Sequence, residues 1–254
     1  MTSVDQIAIQ LYTVRELAAA DLAGTLETIA GIGYKAVELA GFYGRTADEI
    51  RNLTDEFGLR VVSAHIPVTD FETDLGKVIS DLQTLGAEWG VVPWIAPDKR
   101  DEASLRAYGE QFNEYASRLA AAGIKFGYHN HDFEFTHKTD GGDSLFEMLL
   151  NVTDPSSVHF ELDAWWVSVG GLDPAEVLAQ NKNRISLVHL KDGFQNNKVS
   201  GGDVPFGEGD LDFTTFFRAA EEAGVEYYIT EQDTRVDVIP EITASFNNAK
   251  KVHA

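Results

Sequence analysis

The stretch GIGYKAVELAG at 31–41 reads as the end of a helix, a glycine, and then a short apolar strand. Glycine just past a helix takes the left-handed backbone that ends it and drops the chain into the next element. The same arrangement returns in EFGLRVVSAHIP at 56–67, TLGAEWGVVP at 84–93, AAGIKFGYHNH at 121–131 and EAGVEYYITEQ at 222–232. Glycines 33, 58, 86 and 123 are spaced 25, 28 and 37 residues apart, the size of one strand, loop and helix. The chain is therefore a βα repeat.

The strand segments AVEL, RVVSAH, GVVPW and SLVHL are apolar almost throughout, as suits parallel strands covered on both faces. Between them run amphipathic helices such as 102–122, where Leu105, Tyr108, Phe112, Tyr115 and Leu119 recur at spacings of three and four. Eight strands are predicted, at about 6–12, 35–40, 60–66, 88–93, 125–131, 157–163, 184–190 and 226–231. Eight alternating units predict an α/β fold, a single (β/α)8 TIM barrel occupying 1–254. An open doubly wound sheet is the alternative, but no GxGxxG follows an early strand and GxxxxGK[ST] is absent.

Composition bounds the partners. Of 254 residues, 44% are hydrophobic, enough for a large core. The net charge of −21 repels phosphate backbones and anionic lipid, which argues against nucleic acid and membrane as partners. No cysteine is present, so thiolate metal sites and cysteine nucleophiles are excluded. Met1 to Gln6 lacks the pattern of a secretory signal, and no run of about 20 apolar residues occurs, so a cytoplasmic protein is expected. Association into a homo-oligomer is left open.

In such barrels the reacting groups sit at the C-terminal ends of strands. Those positions carry Gln10 and Tyr12, Glu38, His65, Pro93 and Trp94, His129, Asn130 and His131, Asp163, His189 with Lys191, and Glu231 with Asp233. Consecutive strands six to eight thus offer Asp163, His189 and Glu231, a set suited to Mn²⁺, Mg²⁺, Co²⁺ or Zn²⁺. Without thiolates, Mn²⁺ leads. The bland account, loop carboxylates around a hydrogen-bonded core histidine, suits any one of them better than all three.

Strand five ends unusually, in YHNHDFEF. His129 is a candidate fourth ligand, Glu134 a candidate ligand or proton-transfer group, and His131 a substrate contact. Lys191 should face the same mouth as proton donor or oxyanion holder; a salt bridge to Asp192 or Asp233 explains it equally well. Trp165, Trp166, Trp94, Phe42 and Tyr43 offer flat surfaces that suit a sugar ring or, just as well, lid packing. Gln10, Tyr12 and His65 complete the candidate substrate contacts. His137, His159 and His253 lie away from strand exits and read as solvent or core histidines.

IQLYTVR at 9–15, GYKAVELAG at 33–41, VVSAH at 61–65, GYHNHDFEF at 127–135, ELDAWW at 161–166, VHLKD at 188–192, PFGEGDLDF at 205–213 and EQD at 231–233 occur in one order along the chain. Together they resemble the sugar phosphate isomerase/epimerase branch of the xylose isomerase-like barrels. The resemblance implies a divalent-metal enzyme acting on sugars, inositol-derived ketones or keto-glycosides, with a Glu, Asp, His, Glu ligand set on strands five to eight. Carried over, the last three ligands fall on Asp163, His189 and Glu231. The first does not match: where relatives end strand five in Leu-Glu-Asn-His, this chain has Tyr128-His129-Asn130-His131, so either His129 binds or Glu134 reaches back. The leading expectation is an isomerase or epimerase of a keto sugar or keto-glycoside that abstracts an α-proton through an enediolate. Glu231 is its base, with His129 or Glu134 returning a proton. β-Elimination of the aglycone from a 3-keto-glycoside is the runner-up, and a non-catalytic carbohydrate-binding or partner-subunit barrel the third. No phosphate cradle is seen, which favours an unphosphorylated substrate.

Overall fold

The computed structural model describes residues 4–198 and 201–252; His253 lies outside them. Eight parallel strands close into a barrel: β1 (Ile7–Gln10), β2 (Ala36–Leu39), β3 (Arg60–His65), β4 (Trp89–Val92), β5 (Lys125–His129), β6 (Val158–Asp163), β7 (Ile185–Leu190) and β8 (Tyr227–Thr230). Each pairs with its sequence neighbours, and β1 pairs with β8 to close the ring, Ile7 opposite Tyr228 and Ile9 opposite Thr230. Every strand falls within the segment predicted for it. The long helix occupies Glu102–Ala121, started by the Asp101 side chain accepting the Ser104 N–H.

Two apolar clusters hold the barrel. The larger lies between strands and helices and includes Leu105, Phe112 and Leu119 from the long helix with Phe126 and Tyr128 from β5. Burying a side chain of this size contributes roughly 1.5–3 kcal/mol. The smaller fills the barrel interior with Ala8, Ala36, Val62, Trp89, Val91, Leu187, Tyr227 and Ile229. Because strand side chains alternate, the next inward position beyond Ala36, Leu187 and Ile229 belongs to Glu38, His189 and Glu231. The apolar plug thus supports a polar layer at the C-terminal mouth. Of the helix-ending glycines, Gly86 shows the reason for its residue type: it has φ +67°, a conformation side-chain-bearing residues rarely adopt.

The segment after β7 contains a short antiparallel ladder in which Asp192–Gly193 pairs with Asp203–Val204. The Asp192 carboxylate anchors it by accepting N–H groups from Gly193, Gly207 and Gly209 at 2.8, 3.0 and 3.0 Å. Asp203 ties the ladder to the end of β8 through the Asp233 and Thr234 N–H groups. Among the described residues no helix is long and apolar enough to cross a membrane.

Candidate metal centre and active-site cavity

At the C-terminal end of the barrel, β5 to β8 bring His129, Asp163, His189 and Glu231 together. One ligand atom from each lies within 4.8 Å of all the others, and all four residues are buried. Local structure orients them. Asp163 ends β6 and caps the helix Ala164–Val169, its Oδ1 accepting the Trp166 N–H at 2.9 Å. Its Oδ2 is left buried without a hydrogen bond, 3.3 Å from Lys191 Nζ. His189 stands beside Asp163 in the β6–β7 register and bonds Glu231 Oε2 through Nδ1 at 2.8 Å. His129 directs Nε2 towards Asp163 Oδ2 at 3.9 Å.

Electrostatics fit a cation. Burial pushes the Asp163 carboxyl up to about 7, against the pull of Lys191 and His189. Burial also opposes ionisation of Glu231, but the charges of Lys191 and His189 hold it well below the usual carboxylate range. His129 is pushed down to about 4, chiefly by burial, so its imidazole is neutral and has a lone pair to offer. Burial alone would lower Lys191, yet the carboxylates of Asp163, Glu231 and Asp233 keep it firmly an ammonium. Its Nζ lies 2.9 Å from Glu231 and 2.8 Å from Asp233. The orphaned Asp163 oxygen and the mixed imidazole–carboxylate donors make this a buried group able to hold a metal ion.

A cavity of about 620 Å³ opens above, lined by Tyr12, His65, Pro67, Pro93, Trp94, His129, His131, Trp166, Lys191, Glu231 and Asp233 among others. Of the sequence-predicted substrate contacts, Tyr12, His65, His131 and Trp166 line it. Burial holds the His131 imidazole well below its ordinary value and so neutral, and its Nδ1 has no hydrogen-bond partner.

Three predicted residues are placed elsewhere. Gln10 is fully buried and donates to Glu38 Oε1 at 2.7 Å, one layer beneath the cavity. Trp165 is buried against Gly193, whose missing side chain leaves room for the indole. Glu134, expected as a ligand or proton carrier, turns away. The short helix Phe133–Thr136 directs its carboxylate to the Tyr128 hydroxyl at 2.6 Å and the His131 N–H at 2.9 Å. Burial then raises its carboxyl to about 7. The Lys191 salt bridge goes to Asp233 and not to Asp192, which the loop amides occupy.

Glu161 was missed by reading strand ends alone. It lies two residues before Asp163, hence on the same inward face of β6, fully buried. With Glu38 it forms a carboxylate pair under the cavity floor. Burial and the neighbouring Glu161 charge raise Glu38, while His189 and His65, overcoming the effect of burial, hold Glu161 well below the usual range. A glutamate between two apolar residues of a strand, VEL at 37–39 and FEL at 160–162, is the signal that marks both.

The closed barrel with its polar C-terminal mouth defines a class, and the sequence profile agrees: residues 26–245 match the xylose isomerase-like TIM barrel family, to which the chain belongs. It is 24% identical to the inosose dehydratase of Geobacillus kaustophilus over 83% of this chain and 80% of that one. To the rhizopine catabolism protein MocC of Rhizobium meliloti it is 25% identical, over 79% and 72%. A solved sugar phosphate isomerase/epimerase from Parabacteroides distasonis superposes with a TM-score of 0.83 at 25% identity, covering 97% of this chain and 93% of that one.

Proposed function

We propose that the protein is a divalent-metal-dependent lyase of the dehydratase type. It removes the proton α to the carbonyl of a keto cyclitol or keto sugar and expels an oxygen substituent from the β carbon. Held by His129, Asp163, His189 and Glu231, a divalent ion would polarise that carbonyl and stabilise negative charge on its oxygen, with Mn²⁺ preferred over Mg²⁺, Co²⁺ or Zn²⁺ on this thiolate-free donor set.

The observation that carries the reading is the pairing of unlike proton carriers. Glu231, a carboxylate, and Lys191, an ammonium, face one cavity 2.9 Å apart, while β5 contributes a neutral imidazole and Glu134 is turned away. Epimerisation asks for proton carriers on two faces of one carbon. Elimination asks for a base at the α carbon and an acid at the leaving oxygen, which Glu231 and Lys191 supply. The α C–H bond breaks with its proton going to Glu231, and the β C–O bond breaks with its electron pair staying on oxygen. Lys191 protonates that oxygen. Return of the proton from Glu231 to Lys191 resets the site, and for a hydroxyl substituent the product is substrate minus water. The walls of Tyr12, Pro67, Pro93, Trp94 and Trp166 suit the C–H faces of a ring. Lys191, already committed to three carboxylates, leaves little for a phosphate, which favours an unphosphorylated substrate. Similarity to inosose dehydratase points the same way.

Isomerisation is the second reading, favoured by the likeness to the Parabacteroides distasonis protein. The test incubates Mn²⁺-loaded protein in D₂O with an inosose and, separately, a 3-keto-glucoside. Product lighter by one water, or free aglycone, supports the lyase. An isomer of unchanged composition carrying solvent deuterium supports isomerisation, and recovery of both probes without deuterium refutes α-proton chemistry on these substrates.

A further inference from the structure

A second ring of charge lies directly beneath the candidate metal centre, and packing does not explain it. Glu38 and Glu161 are both fully buried, and Glu38 Oε2 and Glu161 Oε1 have no hydrogen bond. Apolar side chains of the same volume would cost less there, since buried carboxylates lose their hydration. Their remaining oxygens are aimed at histidines. Glu161 Oε2 lies 2.9 Å from His129 Nδ1 and 2.7 Å from His65 Nε2. Glu38 Oε1 lies 2.7 Å from His189 Nε2 and 3.2 Å from His65 Nε2, and is steadied by Gln10 Nε2 at 2.7 Å. Each metal-facing histidine therefore shows one ring edge to the ligand set and the other to these carboxylates: His129 has Nε2 towards Asp163, and His189 has Nδ1 towards Glu231 with Nε2 towards Glu38 and, at 3.2 Å, Glu161.

A buried carboxylate that takes one edge of an imidazole fixes the plane of the ring and turns the opposite nitrogen to the ligand set; Glu231, which meets His189 Nδ1 in the metal-free chain, is itself one of the four residues that would hold the ion. We infer that Glu161 and Glu38 are positioning residues, which hold His129 by Nδ1–H and His189 by Nε2–H so that His129 Nε2 and His189 Nδ1 point at the ion. His65 bridges the two carboxylates and keeps them in register. The layering follows from sequence: Glu161 and Asp163 stand two apart on β6, so one strand supplies an ion ligand and, a layer deeper, the group that aims its neighbour. The inference rests on the metal-centre reading and adds the residues that orient its two imidazoles.

Calorimetric titration of metal-stripped protein with Mn²⁺, paired with thermal unfolding of the same metal-free samples, tests it. Wild type is expected to take up one ion per chain. Glu161→Ala should weaken Mn²⁺ binding by roughly 10- to 100-fold, the usual loss when such a partner is removed. Its metal-free melting temperature should fall as well, because His65 and His129 lose a buried partner, so the affinity is the deciding readout. Glu161→Gln, whose amide oxygen still accepts from His129, should recover most of the affinity. Glu38→Ala repeats the experiment through His189 and serves if Glu161→Ala misfolds. A packing role alone predicts a lower metal-free melting temperature with unchanged affinity, and that result overturns the inference. So does uptake of two ions per wild-type chain, which would make Glu161 a ligand. Wild type that takes up no ion overturns the metal-centre reading beneath it as well.

Discussion

The two ends of the barrel handle charge in opposite ways. At the N-terminal end, Lys125 Nζ lies 2.8 and 2.6 Å from the Glu226 oxygens, Tyr227 donates to Glu88 and accepts from Arg60, and His159 Nδ1 pairs with Ser186. The Lys125, Glu226, Arg60 and Glu88 side chains are exposed enough for water to complete their solvation. At the C-terminal end, Glu38, Glu161 and Asp163 are fully buried and each keeps one oxygen without a hydrogen bond. Lys191 is the ammonium set against Asp163 and Glu231, while His65 and His189 face Glu38 and Glu161. One end is built for stability. The other buries carboxylates and imidazoles in a group able to hold a metal ion.

The comparison can be broken most severely at Glu231. Glu231→Gln keeps an oxygen at the site but removes the base, so turnover on the elimination substrate should fall by about 10² to 10⁴, with circular dichroism unchanged. Full activity in this variant would put the chemistry elsewhere.

A buried carboxylate outside the cluster gives the next effect. Glu134 has a folded-state value raised to about 7 by burial, against an ordinary 4.5. The folded state then holds the proton more tightly than the unfolded one, so its contribution is complete below about pH 4.5 and is lost as the pH rises through about 7. Glu134→Gln should remove a pH-dependent loss on the order of 3 kcal/mol across that window. Urea unfolding at several pH values checks this, and identical pH profiles for wild type and variant would contradict it.

How far these groups could be read from sequence differs. The eight strands and the long helix were legible because glycine ends, apolar runs and helical spacing are local properties of the chain. His129, Asp163, His189 and Glu231 were legible as strand-end residues, since a closed parallel barrel converts strand ends into one ring. Glu134 was not: YHNHDFEF does not reveal that a one-turn helix carries its carboxylate back to Tyr128. Trp165 and Trp166 are sequence neighbours that helical geometry sends to different sides, one beneath Gly193 and one into the cavity. Glu161 lay within a motif already singled out, but its role depends on the layer below the strand ends.

Smaller effects sharpen the contrast. His189→Ala should lower Mn²⁺ affinity at least about tenfold while preserving the fold, as measured by calorimetry and circular dichroism. At the opposite end, Lys125→Ala should cost no more than about 1 kcal/mol and leave turnover and metal affinity unchanged, as for exposed ion pairs generally. A loss of metal binding on breaking the Lys125–Glu226 pair would mean that the two ends are coupled.

Location of the ion tests the central claim most directly. Anomalous scattering from crystals soaked in Mn²⁺ should give a single strong peak within bonding distance of His129, Asp163, His189 and Glu231. No peak at the barrel mouth, or one bonded to His65 and Glu161 instead, would contradict the account.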